Sequence, residues 1–215
     1  MTAAATQKIA RLFPSRSQYY YVTTKLKTDP LYTAVHRELS GSQLPLMDLG
    51  CGLGVLAYFL RENGLKFPIR GLDYDESKIV AANDAILRSG HEDLSFSHHD
   101  AREGLPEHSG NVTILDILQF FTPAQQKELL TLAAERVPPG GKLIVRSCLK
   151  STSKRFKVTV AGDLLAKYTF WMKAAPTHYP TEEDFREALA PFGTVTISPL
   201  WGKTPFNNHL ITLCR

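Results

Sequence analysis

Residues 45–54 read PLMDLGCGLG, and this stretch decides the fold. A short apolar segment ends in Asp48, and three glycines follow at alternate positions, Gly50, Gly52 and Gly54. The apolar spacing of the next residues predicts a helix, and glycines between a strand and a helix let the backbone approach a ligand closely. The stretch is therefore typical of a nucleotide-type binding turn.

The glycine spacing distinguishes two kinds of nucleotide fold. Dinucleotide-binding domains usually carry G-x-G-x-x-G, with the pyrophosphate at the helix N-terminus, whereas this chain has G-x-G-x-G with an acid two residues upstream. That pattern resembles the first motif of the class I S-adenosylmethionine-dependent methyltransferases. The resemblance implies that the methionine end of the cofactor lies over this loop. The candidate cofactor residues here are Asp48, Gly50, Cys51, Gly52 and Gly54.

The composition is that of one soluble globular domain. The chain has 215 residues, 43% of them hydrophobic and 21% charged, and this length can bury one sizeable core. No apolar run approaches the roughly 20 residues that span a bilayer, so we expect no membrane span. The net charge of +4 is too small to indicate a nucleic-acid partner.

The cysteines are three in number, Cys51, Cys148 and Cys214, and lie far apart without a C-x-x-C spacing. This pattern predicts neither a disulfide framework nor a zinc site. We therefore expect a cytoplasmic protein without a bound metal.

Two further strands are predicted to end in acids, at Asp73 and at Asp100. An acid at Asp73 suits the ribose hydroxyls of a nicotinamide cofactor or of S-adenosylmethionine, so it does not choose between them. In the methyltransferases that the chain resembles, the acid after the third strand lies beside the adenine. The resemblance implies that Asp100 and the amide of Ala101 contact the adenine, and Tyr74, next to Asp73, is a further cofactor candidate.

The middle of the chain strengthens the methyltransferase resemblance. A mostly apolar strand over residues 111–118 contains Asp116, and a helix to about residue 136, a Pro-Pro-Gly-Gly turn and a strand at 142–146 follow. This order resembles motifs four to six of the same family and disfavours a dehydrogenase. Asp116 is the last cofactor candidate.

Two features of nucleic-acid methyltransferases are missing from the sequence. The segment Asp116-Ile117-Leu118-Gln119 lacks the proline pair of amino-directed DNA enzymes, and the cysteine pair of RNA pyrimidine enzymes is also absent. A nucleic-acid base is therefore disfavoured as the substrate.

The whole pattern predicts an α/β fold. We expect a Rossmann-like, seven-stranded, mostly parallel sheet with helices on both faces, an antiparallel last strand and an N-terminal helical cap. The cap comprises residues 1–44 and the methyltransferase domain residues 45–215.

Both ends of the chain supply candidate substrate residues. In the resembling family, chain before the first core strand commonly folds over the cofactor, which makes Tyr20 and Lys25 candidates, although they can equally pack the cap onto the domain. The tip of the last hairpin is expected at the same edge as the glycine loop and adds Trp201, Phe206 and Asn207.

A basic segment follows the fifth strand, where seven cations stand against Asp163 alone. They are Arg146, Lys150, Lys154, Arg155, Lys157, Lys167 and Lys173. The segment predicts either a solvated face or a surface that attracts an acidic partner.

A closer resemblance is to the small methyltransferases of aryl polyene pigment biosynthesis, in residues 25–32, 116–120, 140–146 and 205–208. It implies methylation of an aromatic head group, with the substrate a small molecule or a chain bound to an acyl carrier protein. That family has a histidine where this chain has Gln119, which puts a base role at this position in doubt.

Methyl transfer needs few catalytic groups, because the sulfonium is already an activated leaving group. A base would help to deprotonate a phenol, and His178, Tyr179 and Gln119 are the catalytic candidates, although each can be structural. Two alternatives stay open: a cofactor-binding partner or scaffold without transferase activity, and a methyltransferase for a lipid or a free small molecule.

Overall fold

The computed structural model describes residues 3–168 and 178–215. The strands are β1 (Leu46–Leu49), β2 (Ile69–Asp73), β3 (Leu94–His98), β4 (Asn111–Leu115), β5 (Lys142–Cys148), β6 (Thr194–Pro199) and β7 (Asn208–Cys214). The helices are α1 (Ala3–Ala10), α2 (Arg16–Thr28), α3 (Leu31–Leu39), α4 (Val55–Glu62), α5 (Glu76–Ser89), α6 (Pro123–Glu135), α7 (Lys154–Tyr168) and α8 (Glu182–Leu189). No helix in these two ranges is long and apolar enough to cross a membrane.

The strands form one seven-stranded sheet in the order β3-β2-β1-β4-β5-β7-β6. β1 pairs with β2, β2 with β3 and β4 with β5 in parallel, whereas β7 is antiparallel to both β5 and β6. The predicted mostly parallel sheet with an antiparallel last strand is confirmed.

Two compact units divide the chain, Met1–Glu103 and Gly104–Arg215. The first unit contains the three helices of the predicted cap and the strands β1 to β3, and the second contains β4 to β7. The boundary at residue 45 between a cap and a methyltransferase domain stays a prediction.

A row of three rings organises the core of the first unit. Tyr58 in α4 contacts Phe13, which follows α1, with ring centroids 6.0 Å apart, and it contacts Phe96 in β3, also at 6.0 Å. All three side chains are buried, and the Tyr58 hydroxyl donates to the Ala82 carbonyl at 2.7 Å. Residues 3–13 are therefore packed as α1 and the turn after it.

Local capping explains where two helices of the second unit, α6 and α8, begin. Thr122 and Gln125 form a capping box at the start of α6, and Thr181 and Asp184 form another at the start of α8. Each box satisfies amides that the first turn leaves without partners.

The fourth strand is shorter than its apolar run predicts. β4 ends at Leu115 because Asp116 adopts a left-handed φ of 61°, which interrupts the extended backbone. A short 3-10 turn, Leu118–Phe120, then follows, in which Leu118 and Gln119 are buried.

Candidate functional site

The glycine loop is tied to the end of the neighbouring strand. The amides of Gly50 and Cys51 both donate to the Leu72 carbonyl, at 2.7 and 3.0 Å. Gly50, Gly52 and Gly54 have φ values of 72°, 56° and 70°, so each lies in the left-handed region that other residues rarely adopt. The alternation of glycines is therefore a requirement of the backbone path.

Two of these glycines face different surroundings. A Cβ on Gly54 would lie 2.6 Å from Cε1 of Phe96, so a side chain there has no room. A Cβ on Gly52 would meet only Cδ of Lys78, at 4.0 Å. Gly54 thus allows the loop to pack on the core, while Gly52 presents open space above the loop.

The carboxylate of Asp73 is fixed beside this space. Its two oxygens accept the amides of Gly52 and Asp75, each at 2.8 Å, and the residue is 6% exposed. A carboxylate offers about four acceptor positions, so it can still receive ligand hydroxyls. Asp75 has a different task, because its carboxylate accepts the Ser77 amide and caps α5.

Cys51 lies among acids in this loop. Burial raises the pKa of the Cys51 thiol well above its ordinary value, and the nearby carboxylates of Asp48 and Asp73 raise it further. Asp48 itself is 2% exposed. The thiol is therefore neutral and unreactive, and it serves the loop as a small packed side chain.

The end of β3 lies next to that of β2, since Asp73 pairs with His98 and the His99 amide donates to the Asp73 carbonyl at 3.0 Å. Asp100 holds Arg102, whose Nε donates at 2.9 Å and Nη2 at 2.6 Å. These hydrogen bonds from Arg102 lower the pKa of Asp100. Ala101 begins a 3-10 turn, and Tyr74 is 41% exposed.

In the second unit, Asp116 is held by a buried arginine. Arg146 of β5 is 2% exposed and donates through Nε and Nη2 to the Asp116 carboxylate. The Asp116 amide donates to the Arg146 carbonyl at 3.0 Å, and Nε2 of Gln119 donates to the Asp116 carbonyl at 3.0 Å. Three contacts thus maintain the left-handed backbone, a kind of strain that occurs at ligand sites.

Two catalytic candidates lie near this turn. The His178 amide donates to the Gln119 carbonyl at 3.3 Å, and the His178 carbonyl accepts Nε2 of Gln126 at 3.0 Å. The His178 side chain is exposed, and Tyr179 packs edge-on against Phe156 at 5.3 Å. The chain at His178 and the turn at Gln119 therefore lie side by side, and their catalytic roles stay predictions.

The predicted hairpin residues have distinct surroundings. The Arg155 guanidinium lies 4.7 Å from the centroid of Trp201, whose Nε1 is buried without a hydrogen-bond partner among the described residues. Phe206 is 37% exposed. Asn207 is buried and donates to the Leu149 carbonyl at 2.8 Å, so it fixes the hairpin to the chain after β5.

The N-terminal candidates do not form one cluster. Lys25 in α2 pairs with Asp29, the residue after α2, at 3.4 Å. Tyr20 is 59% exposed and lines a cleft near the start of α2.

The basic segment does not form one surface either. Arg146 is buried, and Arg155 donates to the Thr204 carbonyl at 2.6 Å. Lys150, Lys154 and Lys157 are exposed. Lys173 and the side chain of Lys167 lie outside the described part of the chain.

Three polar residues received no individual role in the site from the sequence. Arg102 carried a usable signal, because it follows Asp100 by two positions in a turn. Arg146 lies inside the apolar run of β5, which indicates burial, and His209 lies in the last strand, where nothing local marks it. Among the described residues, no group of histidine, cysteine and acidic side chains could hold a metal ion.

Comparison with known proteins identifies the family. A model of the methyltransferase domain matches residues 40–198. The ribosomal protein L11 methyltransferase of Shewanella piezotolerans is 32% identical over 135 residues, 62% of this chain and 41% of that protein. That of Azotobacter vinelandii is 30% identical over 148 residues, 69% of this chain and 44% of that protein. The match spans less than half the length of these curated relatives, and they do not test the aryl polyene resemblance.

Solved structures share the fold. The pyocyanin biosynthetic protein PhzM superposes with a TM-score of 0.68 at 19% identity, covering 98% of this chain and 61% of that one. Magnesium protoporphyrin IX methyltransferase from Synechocystis, solved with bound SAH, gives 0.65 at 17% identity, covering 99% and 95%. The chain therefore belongs to the methyltransferase domain family.

Proposed function

We propose that the chain is a class I methyltransferase with S-adenosyl-L-methionine as its methyl donor, and that the glycine loop and Asp73 hold this donor. In this assignment the methionine end lies over Gly50, Cys51, Gly52 and Gly54, and the ribose hydroxyls lie on the Asp73 carboxylate. The observation that carries this assignment is the position of Asp73, which two amides fix beside the open space at Gly52. A fixed carboxylate loses little conformational freedom when it accepts hydroxyls.

The other cofactor assignments follow the neighbouring strand end. We assign the adenine to Asp100, the Ala101 amide and Tyr74, and Arg102 orients the Asp100 carboxylate through its paired hydrogen bonds. Asp48 is buried, and its carboxylate is among the groups that keep the Cys51 thiol neutral. Asp116 is the candidate of the second unit, and the Arg146 pair fixes its direction.

The reaction is an in-line displacement. The acceptor atom forms a bond to the methyl carbon, the sulfur–carbon bond breaks with its electron pair staying on sulfur, and the acceptor's proton passes to a base or to water. Alignment is the main contribution of the protein. His178 and Tyr179 are the proposed bases, whereas the Gln119 amide has no basic nitrogen and can only orient the acceptor.

Calorimetry of Asp73→Ala tests the cofactor assignment. We expect the Kd for S-adenosylmethionine to rise about 5- to 150-fold, since losing a buried charged acceptor costs about 1–3 kcal/mol. Asp84→Ala, which removes an exposed acid from α5, should leave the Kd unchanged. An unchanged Kd for Asp73→Ala would remove the ribose assignment, and tighter binding of a nicotinamide cofactor would remove the donor assignment.

We propose a small or carrier-tethered aromatic acceptor. The segments that resemble the aryl polyene methyltransferases support it, and so do the exposed Lys150, Lys154 and Lys157, which suit an acidic carrier protein. Reversing Lys154 and Lys157 to Glu should raise KM for a carrier-bound substrate much more than for a free thioester. Arg155 is left in place because it holds Trp201 and Thr204. Equal changes in the two KM values would exclude carrier docking.

A protein side chain is the second candidate acceptor, favoured by the similarity to ribosomal protein L11 methyltransferases. Radiolabelled methyl transfer distinguishes the candidates when purified L11, phenolic thioesters and a lipid extract are offered in parallel. A scaffold without transferase activity would bind the donor and label none of them.

The three thiols, none of them in a disulfide, fit a reducing compartment such as the cytoplasm.

A further inference from the structure

We propose that a cleft in the first unit is a second ligand site, which takes a planar aromatic ring bearing a phosphate or carboxylate. The cleft is open to solvent and has a volume of about 270 Å³, which suits one ring with its anionic group rather than a large cofactor. It is lined by Arg11, Phe13, Pro14, Arg16, Tyr19 and Tyr20.

The cleft lies away from the glycine loop. That loop and Asp73 are at the carboxyl ends of β1 and β2, so α4 and α5, which follow them, begin there and end near the amino ends of the strands. Arg88, in the last turn of α5, donates to the Leu12 carbonyl at 2.8 Å. Lys8 pairs with Glu62, the last residue of α4, at 2.8 Å. Two contacts thus place the turn after α1 at the amino edge, and the cleft is separate from the proposed cofactor site.

The cleft is cationic without compensating acids. Arg11 and Arg16 are exposed, and neither guanidinium makes a hydrogen bond or ion pair with any described residue. No acidic residue occurs before Asp29. Arg16 is also the first residue of α2, where a cation is disfavoured by the helix dipole. Helix stability therefore does not explain a cation at this position, whereas an anionic ligand does.

The aromatic wall defines the rest of the ligand. Tyr20 is 59% exposed and meets Tyr19 edge-on at 5.6 Å, so a ring face stays available. Phe13 is 1% exposed and is held from below by Tyr58, which makes the floor rigid. Guanidinium groups bind phosphate or carboxylate in a bidentate manner, and exposed tyrosines stack on planar rings. Together they select an aromatic anion over an anion alone.

Binding can be measured on the full chain saturated with S-adenosylhomocysteine, which occupies the adenosine site. We expect phenyl phosphate and AMP to bind saturably, and inorganic phosphate to bind about tenfold more weakly because it lacks the ring. The double variant Arg11→Gln/Arg16→Gln should weaken phenyl phosphate at least about tenfold. Lys27→Gln, which removes an exposed cation from the other end of α2, is the matched control and should change nothing.

The affinity for S-adenosylhomocysteine shows that each variant is folded, and it separates failure of this site from failure of the cofactor assignment. A short single-stranded RNA that binds much more tightly than AMP would identify the source as a nucleic-acid chain, and equal affinities would identify a free small molecule. The proposal would be overturned if inorganic phosphate bound as tightly as phenyl phosphate. It would also be overturned if the double variant kept the affinity of the unchanged chain for phenyl phosphate.

Discussion

Gly54 and Gly64 both adopt a left-handed backbone, with φ values of 70° and 88°, yet their surroundings differ. A Cβ on Gly54 would clash with Phe96, whereas a Cβ on Gly64 would meet nothing within 4 Å. Gly54→Ala should therefore lose about 1–3 kcal/mol more unfolding free energy than Gly64→Ala, because only the first overpacks the core. Urea denaturation of the two variants measures the difference.

The backbone conformation is nearly matched in this pair, so equal losses would show that Phe96 moves aside freely. The loop would then depend on its glycines for conformation alone. The double variant Gly54→Ala/Phe96→Leu should recover part of the loss if the clash is its cause.

Residues with a local signature were predictable, and residues defined by a distant partner were not. Asp73 ends a strand about 20 residues after the glycines, and this spacing is visible in the sequence. Arg146 meets Asp116 across 30 positions, because the register of β4 and β5 sets Leu115 opposite Arg146. Sequence alone cannot supply that register, so it groups Arg146 with the other cations of the basic segment.

At the scale of elements, Asn207 fixes the hairpin between β6 and β7. Its side-chain amide donates to the Leu149 carbonyl at 2.8 Å and to the Ser151 hydroxyl at 3.3 Å, and its own backbone amide donates to the Thr159 hydroxyl. Asn207→Ala should therefore cost about 1–3 kcal/mol, since it leaves a buried carbonyl without its donor. Hydrogen exchange should become faster in residues 149–151 and 200–206.

The adjacent Asn208→Ala is the control for this change, because the Asn208 side chain is only half buried. Similar acceleration in both variants would mean that strand pairing, and not the Asn207 amide, holds the hairpin. The comparison also bears on the predicted substrate role of Asn207, because a structural amide is occupied before any substrate arrives.

Elements were predictable where their ends are encoded nearby. The capping boxes that begin at Thr122 and Thr181 each span only four residues at the start of a helix. β4 departs from prediction at Asp116, where the chain leaves the strand through contacts to Arg146 and Gln119. The apolar pattern of the sequence indicates which residues are buried, not where the strand ends. Burial continues past the end of β4 into the 3-10 turn, so the pattern predicts too long a strand.

For the whole molecule, histidine burial predicts acid sensitivity. Burial lowers the pKa of His209 below 6.5. The hydrogen bond to the Asn207 carbonyl and the charge of Glu182 raise this pKa, but burial has the larger effect. Burial also lowers the pKa of His91, opposed by Glu62. The unfolded chain then takes up more protons than the folded chain just below pH 6.5, so the unfolding free energy falls as the pH drops through this window.

Urea denaturation between about pH 5 and pH 7.5 measures this slope. His209→Gln should make it shallower, while His98→Gln, at an exposed position, serves as the control. Asp100 does not interfere, because its lowered pKa places its effect below pH 3.8. A slope unaffected by His209→Gln would assign the acid sensitivity to other groups.

The overall fold was the most predictable level, because strand-end acids, glycine turns and helix caps repeat in one order along the chain. Substrate identity was the least predictable. It depends on which side chains converge from separate segments, such as Trp201 and Arg155, and no spacing in the sequence encodes that convergence.

The row of rings from Phe13 through Tyr58 to Phe96 ends next to Gly54. It therefore connects the turn between α1 and α2 to the glycine loop. A ligand that fixes Gly54 therefore also restricts Phe96, and through Phe96 it restricts Tyr58 and Phe13. Such linkage is reciprocal. We therefore expect S-adenosylmethionine to slow proteolysis between α1 and α2, and limited digestion with and without this donor measures the effect.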